Sequence, residues 1–273
     1  MPRWYITAVC SKMKKYLFVL SALVLFAFSS CQKFAGDPIS KDFPIENSYT
    51  ELEVEDAFEV TVSDAATQIT ITAGEYVMPN VVVETVDNTL KIYLKGWHTN
   101  RGADMTVILP YNANLKSVDL SGASEFHSEY GLYGEKVEVE LSGASDFYCD
   151  IEANEIDMNL SGASYVEGSI DASELDLDMS GASDATLRGQ VTRLDIDLSG
   201  ASNIEKTING SNYGFECDVC KGEMSGGSDA YIHCNSIIKV NLSGGSDLHF
   251  TGNAFTSDSS TSGGSEIIHD VNP

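Results

Sequence analysis

The sequence predicts an all-β fold: a right-handed parallel β-helix, or solenoid, with coils of about 19 residues and a less regular, strand-rich N-terminal part. Three observations predict it. A short motif recurs at a nearly fixed spacing, the residues before each copy alternate between apolar and polar, and the spacing leaves no room for a packed helix.

The repeated motif has the form Leu-Ser-Gly-Ala-Ser, with Met or Thr at the first position and Gly at the fourth in some copies. The distance between successive starts is nearly constant, with one wider interval between Leu198 and Met224. A fixed period of this length is typical of one structural unit stacked on itself. The eight copies begin at Leu120, Leu141, Leu160, Met179, Leu198, Met224, Leu242 and Thr261.

Most motifs follow a segment of alternating residues, such as Val137-Glu138-Val139-Glu140-Leu141. Alternation with a period of two indicates a strand with one buried face. A parallel βαβ unit needs roughly 30 residues, which is more than one repeat contains. Each repeat is therefore expected to consist of strands and corners only.

The glycines and serines of the motif are interpreted as structural residues. If the first motif residue is position 0, the even positions from −4 to +6 are expected to face inward, including Gly at +2 and Ser at +4. Glycine fits a narrow interior and the positive φ of a corner, and an inward serine can hydrogen-bond the backbone there. The structural glycines are Gly122, Gly143, Gly162, Gly181, Gly200, Gly226 and Gly244.

Because the usual period is an odd number, the alternation between inward and outward residues has to shift once in each coil. A turn or bulge between positions +10 and +15 is expected to absorb one residue, for example at Asn154 or Ser173. In the last copy, Ser257, Ser259 and Thr261 replace the inward apolar residues. This predicts a polar cap at that end of the solenoid.

The chain divides into a signal segment at residues 1–30, a tether at 31–47 and a single solenoid domain at 48–268. Within that domain, residues 48–114 are rich in strand patterns but lack the motif. Residues 115–268 contain the repeated coils.

Residues 1–30 carry four basic residues and no acidic one, and the apolar run Tyr16 to Phe28 is too short to span a bilayer comfortably. The sequence Phe28-Ser29-Ser30-Cys31 resembles the lipobox of bacterial lipoproteins, in which the cysteine becomes the lipidated first residue. We therefore expect export, lipidation of Cys31 and anchoring at the outer membrane or cell surface. Plain secretion with cleavage nearby is the alternative.

The chain is strongly acidic, with 16 Lys and Arg residues against 41 Asp and Glu residues. Nucleic-acid binding needs a basic footprint that neutralises phosphates. The composition therefore argues against a nucleic-acid partner.

Export places the cysteines outside the signal segment in an oxidising compartment. Cys149 lies at an inward position about three or four coils from Cys217, Cys220 and Cys234, so it is predicted to be a buried free thiol. Any disulfide is expected to join two of the other three. No second pair of cysteines or nearby pair of histidines completes Cys217 and Cys220 to a zinc site, so no metal centre is predicted.

Two outward positions are rich in acidic residues. Two unit charges stacked about 4.8 Å apart repel by about 0.9 kcal/mol in water, and Ca²⁺ can relieve such repulsion. Two interpretations stay open: a solvated acidic face, and a Ca²⁺-binding ladder. The candidate cation ligands are Asp119, Glu140, Asp178 and Asp197 at position −1, and Asp146 and Asp184 at position +5.

The serine motif does not predict catalysis, because a nucleophile elbow needs G-x-S-x-G at a strand–turn–helix. The motif also has no fixed histidine partner: His127 and His249 share the outward position +7, but the other copies have no histidine there. A carbohydrate-active β-helix enzyme, such as a polysaccharide lyase or glycosidase, is the alternative to a binding protein. Such an enzyme needs an acid/base pair beside a groove, often with basic residues near the sugar. The outward basic residues are few and form no cluster in the sequence, which favours a binding protein over an enzyme. They are Arg188, Arg193, Lys221 and Lys239.

The order of segments resembles a known family. The signal segment is followed by AFEVTVSDAATQITITA, VVVETVDNTLKIYLK and MTVILPYNANLKSVDLSGAS, and then by the repeats. This arrangement is similar to the family called putative auto-transporter adhesin, head GIN domain, common in Bacteroidetes lipoproteins, over roughly residues 48–250. The resemblance implies a β-helix-like fold, surface or periplasmic placement, and no catalytic residues.

Together, the repeat, the signal segment and the resemblance predict a lipid-anchored surface module with a binding, adhesin-like or structural role. Its expected partners are the membrane, through the lipid anchor, and a glycan or surface protein. Tyr148 and Tyr231 at position +7 and Tyr165 at position +5 face outward and could stack on sugars, but their spacing is too sparse to predict a site.

Overall fold

A computed structural model of the chain describes residues 35–45, 48–96, 104–210 and 212–271. Apart from one turn of 3₁₀ helix at Met78–Asn80, the regular elements in these ranges are β-strands, so the fold is all-β. Cys31 and the predicted signal segment lie outside the described residues. Among the described residues, no helix is both long enough and apolar enough to cross a membrane.

Among the described residues, seven strands precede the motif repeats. They are β1 (Pro38–Phe43), β2 (Glu51–Val54), β3 (Phe58–Ser63), β4 (Ile69–Gly74), β5 (Val81–Val86), β6 (Thr89–Leu94) and β7 (Met105–Pro110).

The expected tether at 31–47 is wrong for Pro38–Phe43, because this segment pairs with β4 in antiparallel register and belongs to the sheet. An exposed strand of this kind has no buried face of its own, so its sequence carries no clear alternation.

The described part of the repeat region contains sixteen strands. They are β8 (Ser117–Leu120), β9 (Glu125–His127), β10 (Leu132–Leu141), β11 (Asp146–Tyr148), β12 (Ile151–Leu160), β13 (Tyr165–Met179), β14 (Asp184–Leu198), β15 (Asn203–Ile204), β16 (Ile208–Asn209), β17 (Asn212–Tyr213), β18 (Phe215–Met224), β19 (Asp229–Leu242), β20 (Asp247–Thr251), β21 (Phe255–Thr256), β22 (Ser260–Thr261) and β23 (Glu266–His269).

Strands of neighbouring repeats pair in parallel, and in most of them each residue faces its counterpart one repeat later, as Leu141 faces Leu160. The N-terminal part continues the same sheet, since β2 pairs in parallel with β8, and β3 with β9. The predicted column of first motif residues is confirmed. It runs in register through Leu120, Leu141, Leu160, Met179, Leu198, Met224 and Leu242, all of them buried.

The predicted shift in alternation is also present. In β13, Ala172 and Leu175 are both buried, although they are an odd number of positions apart, and the exposed Ser173 lies between them. The ladder passes from Ala172–Val191 to Glu174–Arg193 without pairing Ser173. One residue at position +13 therefore absorbs the odd period.

The glycines at position +2 do not face inward as expected. Gly143 and its equivalents are exposed, and their φ angles lie between 76° and 84°. The alternation stops at the first motif residue because the chain turns there, and it resumes at the buried serine of position +4. A period-two count cannot be carried through a turn, which is why the expected side of the glycine was wrong.

The serine at position +4 has the expected backbone bond. In each copy its hydroxyl donates to the carbonyl oxygen of the residue at position +1, at 2.7 to 3.0 Å, as Ser164 does to Ser161. The hydroxyl thus satisfies a carbonyl of the corner from the buried side.

The wider interval between the motifs at Leu198 and Met224 arises from an inserted hairpin. Ile208–Asn209 and Asn212–Tyr213 pair in antiparallel fashion, while β14 and β18 on either side of the insertion still pair in parallel. At the C-terminal end, Ser257, Ser259 and Thr261 are not buried, which agrees with a polar cap.

Candidate functional site

Among the grooves on the outer face of the described residues, one follows the acidic column at position −1 and another lies beside position +7. The acidic groove has a volume of about 530 Å³ and follows position −1, where the register places Asp119 against Glu140, and Asp178 against Asp197. Asn159 lies between Glu140 and Asp178, and Glu53 of β2 extends the column. The structure therefore brings four of the six predicted cation ligands together in one groove.

Like charges dominate the acidic groove. Burial, followed by repulsion from Glu140 and Glu53, raises the pKa of Asp119. Burial and repulsion from Asp197 raise the pKa of Asp178. Lys91 forms an ion pair with Glu53 at one end of the column and partly offsets this repulsion.

Asp146 and Asp184 belong to a different column, at position +5, and do not line the acidic groove. Tyr165 lies between them in the register, and Asp184 accepts a hydrogen bond of 2.9 Å from the side-chain amide of Asn203. Within the described residues, no three His, Cys, Asp or Glu side chains are grouped so that they could hold a metal ion. Calcium binding by these columns stays a prediction.

The second groove, which we call the His–Tyr groove, has a volume of about 770 Å³ and lies beside position +7. His127 and Tyr148 occupy this position in consecutive repeats, and their rings stack with centroids 4.4 Å apart and planes at 3°. Ser128, Tyr130, Glu167 and Arg188 also line the groove.

Hydrogen-bond donors and acceptors converge around the ring stack. Arg188 approaches Glu167 at 3.5 Å, and the Tyr165 hydroxyl donates to Glu167 at 3.1 Å. Burial, followed by repulsion from Asp146, raises the pKa of Tyr148, so its hydroxyl stays protonated near neutral pH. The groove thus combines apolar ring carbon with a guanidinium group, carboxylates and hydroxyls.

Sequence reasoning placed His127 and Tyr148 at the same outward position but did not predict a site there. It missed Tyr130 completely, because Tyr130 lies in the segment between β9 and β10, outside the repeated positions. The signal that could have found the stack is the occurrence of two aromatic rings at position +7 of successive repeats, since such residues are about 4.8 Å apart.

A similar ring pair lies nearer the C-terminal end. Tyr231 and His249 stack with centroids 4.6 Å apart, and Tyr213 of the inserted hairpin packs edge-on against Tyr231. His249 is 2.9 Å from a carboxylate oxygen of Asp270, which also bonds the Tyr213 hydroxyl. This cluster ties the hairpin to the last repeats.

The described residues form a repetitive all-β scaffold with polar grooves on its outer face. The chain belongs to the family described as putative auto-transporter adhesin, head GIN domain, whose model matches residues 48–169 and again 155–254. No curated protein matches the chain.

Solved structures share this fold at low sequence identity. A putative adhesin from Parabacteroides distasonis is 19% identical, with a TM-score of 0.74, over 86% of this chain and 98% of its own. A putative adhesin from Parabacteroides merdae is 18% identical, also with a TM-score of 0.74, over 86% and 97%. A putative lipid binding protein from Parabacteroides distasonis is 18% identical, with a TM-score of 0.69, over 86% and 97%.

Proposed function

We propose that the protein is an exported, lipid-anchored surface module that binds a glycan through the His–Tyr groove. The single observation that carries the proposal is the groove itself, in which the stack of His127 and Tyr148 is surrounded by Arg188, Glu167 and Ser128.

The scaffold in this proposal is a right-handed parallel β-helix. Its support is the parallel pairing of β12, β13 and β14, in which each residue faces its counterpart in the next repeat. The right hand follows from strand twist, because parallel strands of one sheet are connected in this hand in about 98% of cases.

The anchor in this proposal is a lipid on Cys31. Its support is the short apolar run ending at Phe28, followed by two serines and then Cys31. The family to which the chain belongs is described as adhesin-like, which agrees with a position at the cell surface.

Glycan binding is supported by the chemistry of the groove. A sugar presents hydroxyls that both donate and accept hydrogen bonds, and C–H faces that pack on ring carbon. Arg188 supplies donors, Glu167 and Asp150 supply acceptors, and Tyr130 and Tyr148 supply ring carbon.

The charge of the groove favours a neutral glycan over an acidic one as the ligand. Carboxylates of Glu129, Asp150 and Glu167 line the groove together with one guanidinium, that of Arg188. The whole chain carries a net charge of −25. An acidic polysaccharide would therefore approach against a repulsive field.

A glycan array probed with the purified protein tests the proposal. We expect binding to neutral glycans, and a loss of binding in Tyr148→Ala and Arg188→Ala. Tyr133→Ala is the matched control, because Tyr133 is an exposed tyrosine that does not line the groove. Unchanged binding in both groove variants would contradict the proposal.

The glycans that bind can also be used to test whether the protein only binds them or also cleaves them. Incubation of a bound glycan with the protein, followed by chromatography of the sugar, should return it intact. Cleavage products that disappear in the groove variants would instead support the alternative of a carbohydrate-active enzyme.

A further inference from the structure

Cys217 and Cys234 face each other across neighbouring parallel strands. The register of β18 and β19 pairs them directly, and both are buried, with 1% and 0% of their surface exposed. Their side chains are hydrogen-bonding partners of each other. Paired residues of neighbouring parallel strands have Cα atoms about 4.8 Å apart, within the range of about 4.4 to 6.8 Å seen in disulfides.

The pair lies where the ladder is irregular. After Cys217–Cys234 the next pair is Val219–Ile237, so the single Asp218 opposes both Asn235 and Ser236. The sulfur of Cys234 lies 3.5 Å from the carbonyl oxygens of both Asp218 and Ile237. The irregularity lies between β18, which is the strand that follows the inserted hairpin β16–β17, and β19, which contains the extra residue.

We propose that Cys217 and Cys234 form a disulfide in the exported protein and that Cys149 and Cys220 remain thiols. The proposal rests on the proposed export, since an oxidising compartment supplies the oxidant. The cross-link fixes the register of β18 and β19 at the point where a slip of one residue would turn the following side chains to the wrong face.

The other two cysteines are excluded by their position in the ladder. Cys220 faces Leu194 on one side and Ile238 on the other. Cys149 lies three strands away from Cys217, which corresponds to roughly 14 Å along the stacking direction. Burial raises the pKa of Cys149 to about 12, so its thiolate is scarce at neutral pH.

The bond forms by thiol–disulfide exchange with a disulfide donor. The Cys234 thiolate attacks one sulfur of the donor, which gives a mixed disulfide and releases one donor thiolate. The Cys217 thiol then loses its proton and attacks the Cys234 sulfur, which releases the second donor thiol. In total, the two cysteines lose two protons and two electrons, and the donor disulfide is reduced to two thiols.

Once β18 and β19 have paired and before the sulfurs are covered, the surroundings of the two sulfurs favour attack by Cys234. The hydrogen bond from Cys217, with backbone N–H groups of Ser236, Cys220 and Ile237, lowers the pKa of Cys234. Both sulfurs are inaccessible in the folded chain. The bond is therefore made during folding, and the folded protein should shield it from reductant.

Refolding of the reduced, full-length protein in a buffer of reduced and oxidised glutathione tests the geometry without any need for export. Non-reducing peptide mapping should find the Cys217–Cys234 peptide pair. The pair should persist in Cys149→Ser and Cys220→Ser, and it should be lost in Cys217→Ser and Cys234→Ser. A native, refolded protein in which Cys149, Cys217, Cys220 and Cys234 are all free thiols, or in which any of them forms another pair, would overturn the proposal.

Protein recovered from cells that express the chain with residues 1–30 tests the compartment separately. Free thiols are alkylated before lysis, and the protein is then denatured and alkylated again. Cys149 and Cys220 should be labelled after denaturation, whereas Cys217 and Cys234 should stay unlabelled in both steps. If the bond forms on refolding but all four cysteines of the cell-derived protein are labelled, the protein is not oxidised in the cell. That result would overturn both the disulfide in the cell and the proposed export.

Discussion

Gly162 lies against Gly143 of the preceding repeat so closely that a Cβ on Gly162 would be 2.3 Å from the carbonyl oxygen of Gly143. That oxygen accepts a hydrogen bond of 2.7 Å from the amide of Ala163, so it cannot move away without breaking the ladder. The same relationship recurs along the stack from Gly122 to Gly263. Close backbone approach, as well as a positive φ, therefore requires glycine at position +2.

Gly162→Ala is expected to destabilise the protein by roughly 2–4 kcal/mol, because it combines a positive φ with a contact that has no room for a methyl group. Urea denaturation measures the change in free energy of unfolding. Gly227→Ala is the control, because a Cβ there meets nothing within 4 Å, and five other copies have Ala at this motif position. Equal effects of the two substitutions would contradict the role assigned to position +2.

Ser164→Ala is expected to cost about 1–3 kcal/mol of unfolding free energy, because it leaves the carbonyl oxygen of Ser161 without the 2.7 Å bond from the buried hydroxyl. Thermal or urea unfolding measures it. The exposed Ser169 offers a control, since Ser169→Ala should change stability by less than about 0.5 kcal/mol. No difference between the two variants would show that the corner does not need the hydroxyl.

Asp119→Asn is expected to raise the urea midpoint at pH 7. Because burial and Glu140 raise its pKa in the folded state, the contribution of Asp119 to stability is present below its unfolded pKa and is lost as the pH rises through its folded pKa. The wild-type protein should therefore gain stability from this group when the pH falls towards about 4, and the variant should lack this gain.

Glu174→Gln is the control of opposite sign. The hydrogen bond from Arg193 lowers the pKa of Glu174, so its contribution is present above its unfolded pKa and is lost as the pH falls through its folded pKa. Its urea midpoint should drop at pH 7 and approach that of the wild-type protein in acid. If the urea midpoints of Asp119→Asn and Glu174→Gln shift in the same direction at pH 7, the repulsion assigned to Asp119 and the ion pair assigned to Glu174 are contradicted.

Cys31→Ser is expected to abolish lipidation and to release the protein from the membrane fraction. Metabolic labelling with a fatty acid, followed by fractionation, measures both effects. Cys149→Ser is the control, because Cys149 is buried in the fold and should not affect labelling. Fatty-acid labelling that persists in Cys31→Ser would mean that residues 28–31 are not a lipobox.

Much of the fold could be predicted from the sequence because the motif repeats at a nearly constant interval. A constant interval between motifs determines which side chains become neighbours, so the column containing Leu141, Leu160 and Met179 could be predicted from the motif starts alone. The acidic column at position −1 was predictable for the same reason. The predicted shift in alternation also followed, because an odd number of residues cannot close on a period of two.

The sequence by itself determined the strands, their buried faces and the repeat register, because these depend on local alternation and on one constant spacing. Tertiary structure decided where the chain bends, so only the fold showed that Gly143 is exposed and that Pro38–Phe43 joins the sheet. It also placed Tyr130 and Arg188 beside the stack of His127 and Tyr148. Tyr130 comes from a segment outside the repeated positions, and Arg188 comes from a different repeat than His127 and Tyr148. No periodic pattern along the chain predicts that these side chains are neighbours.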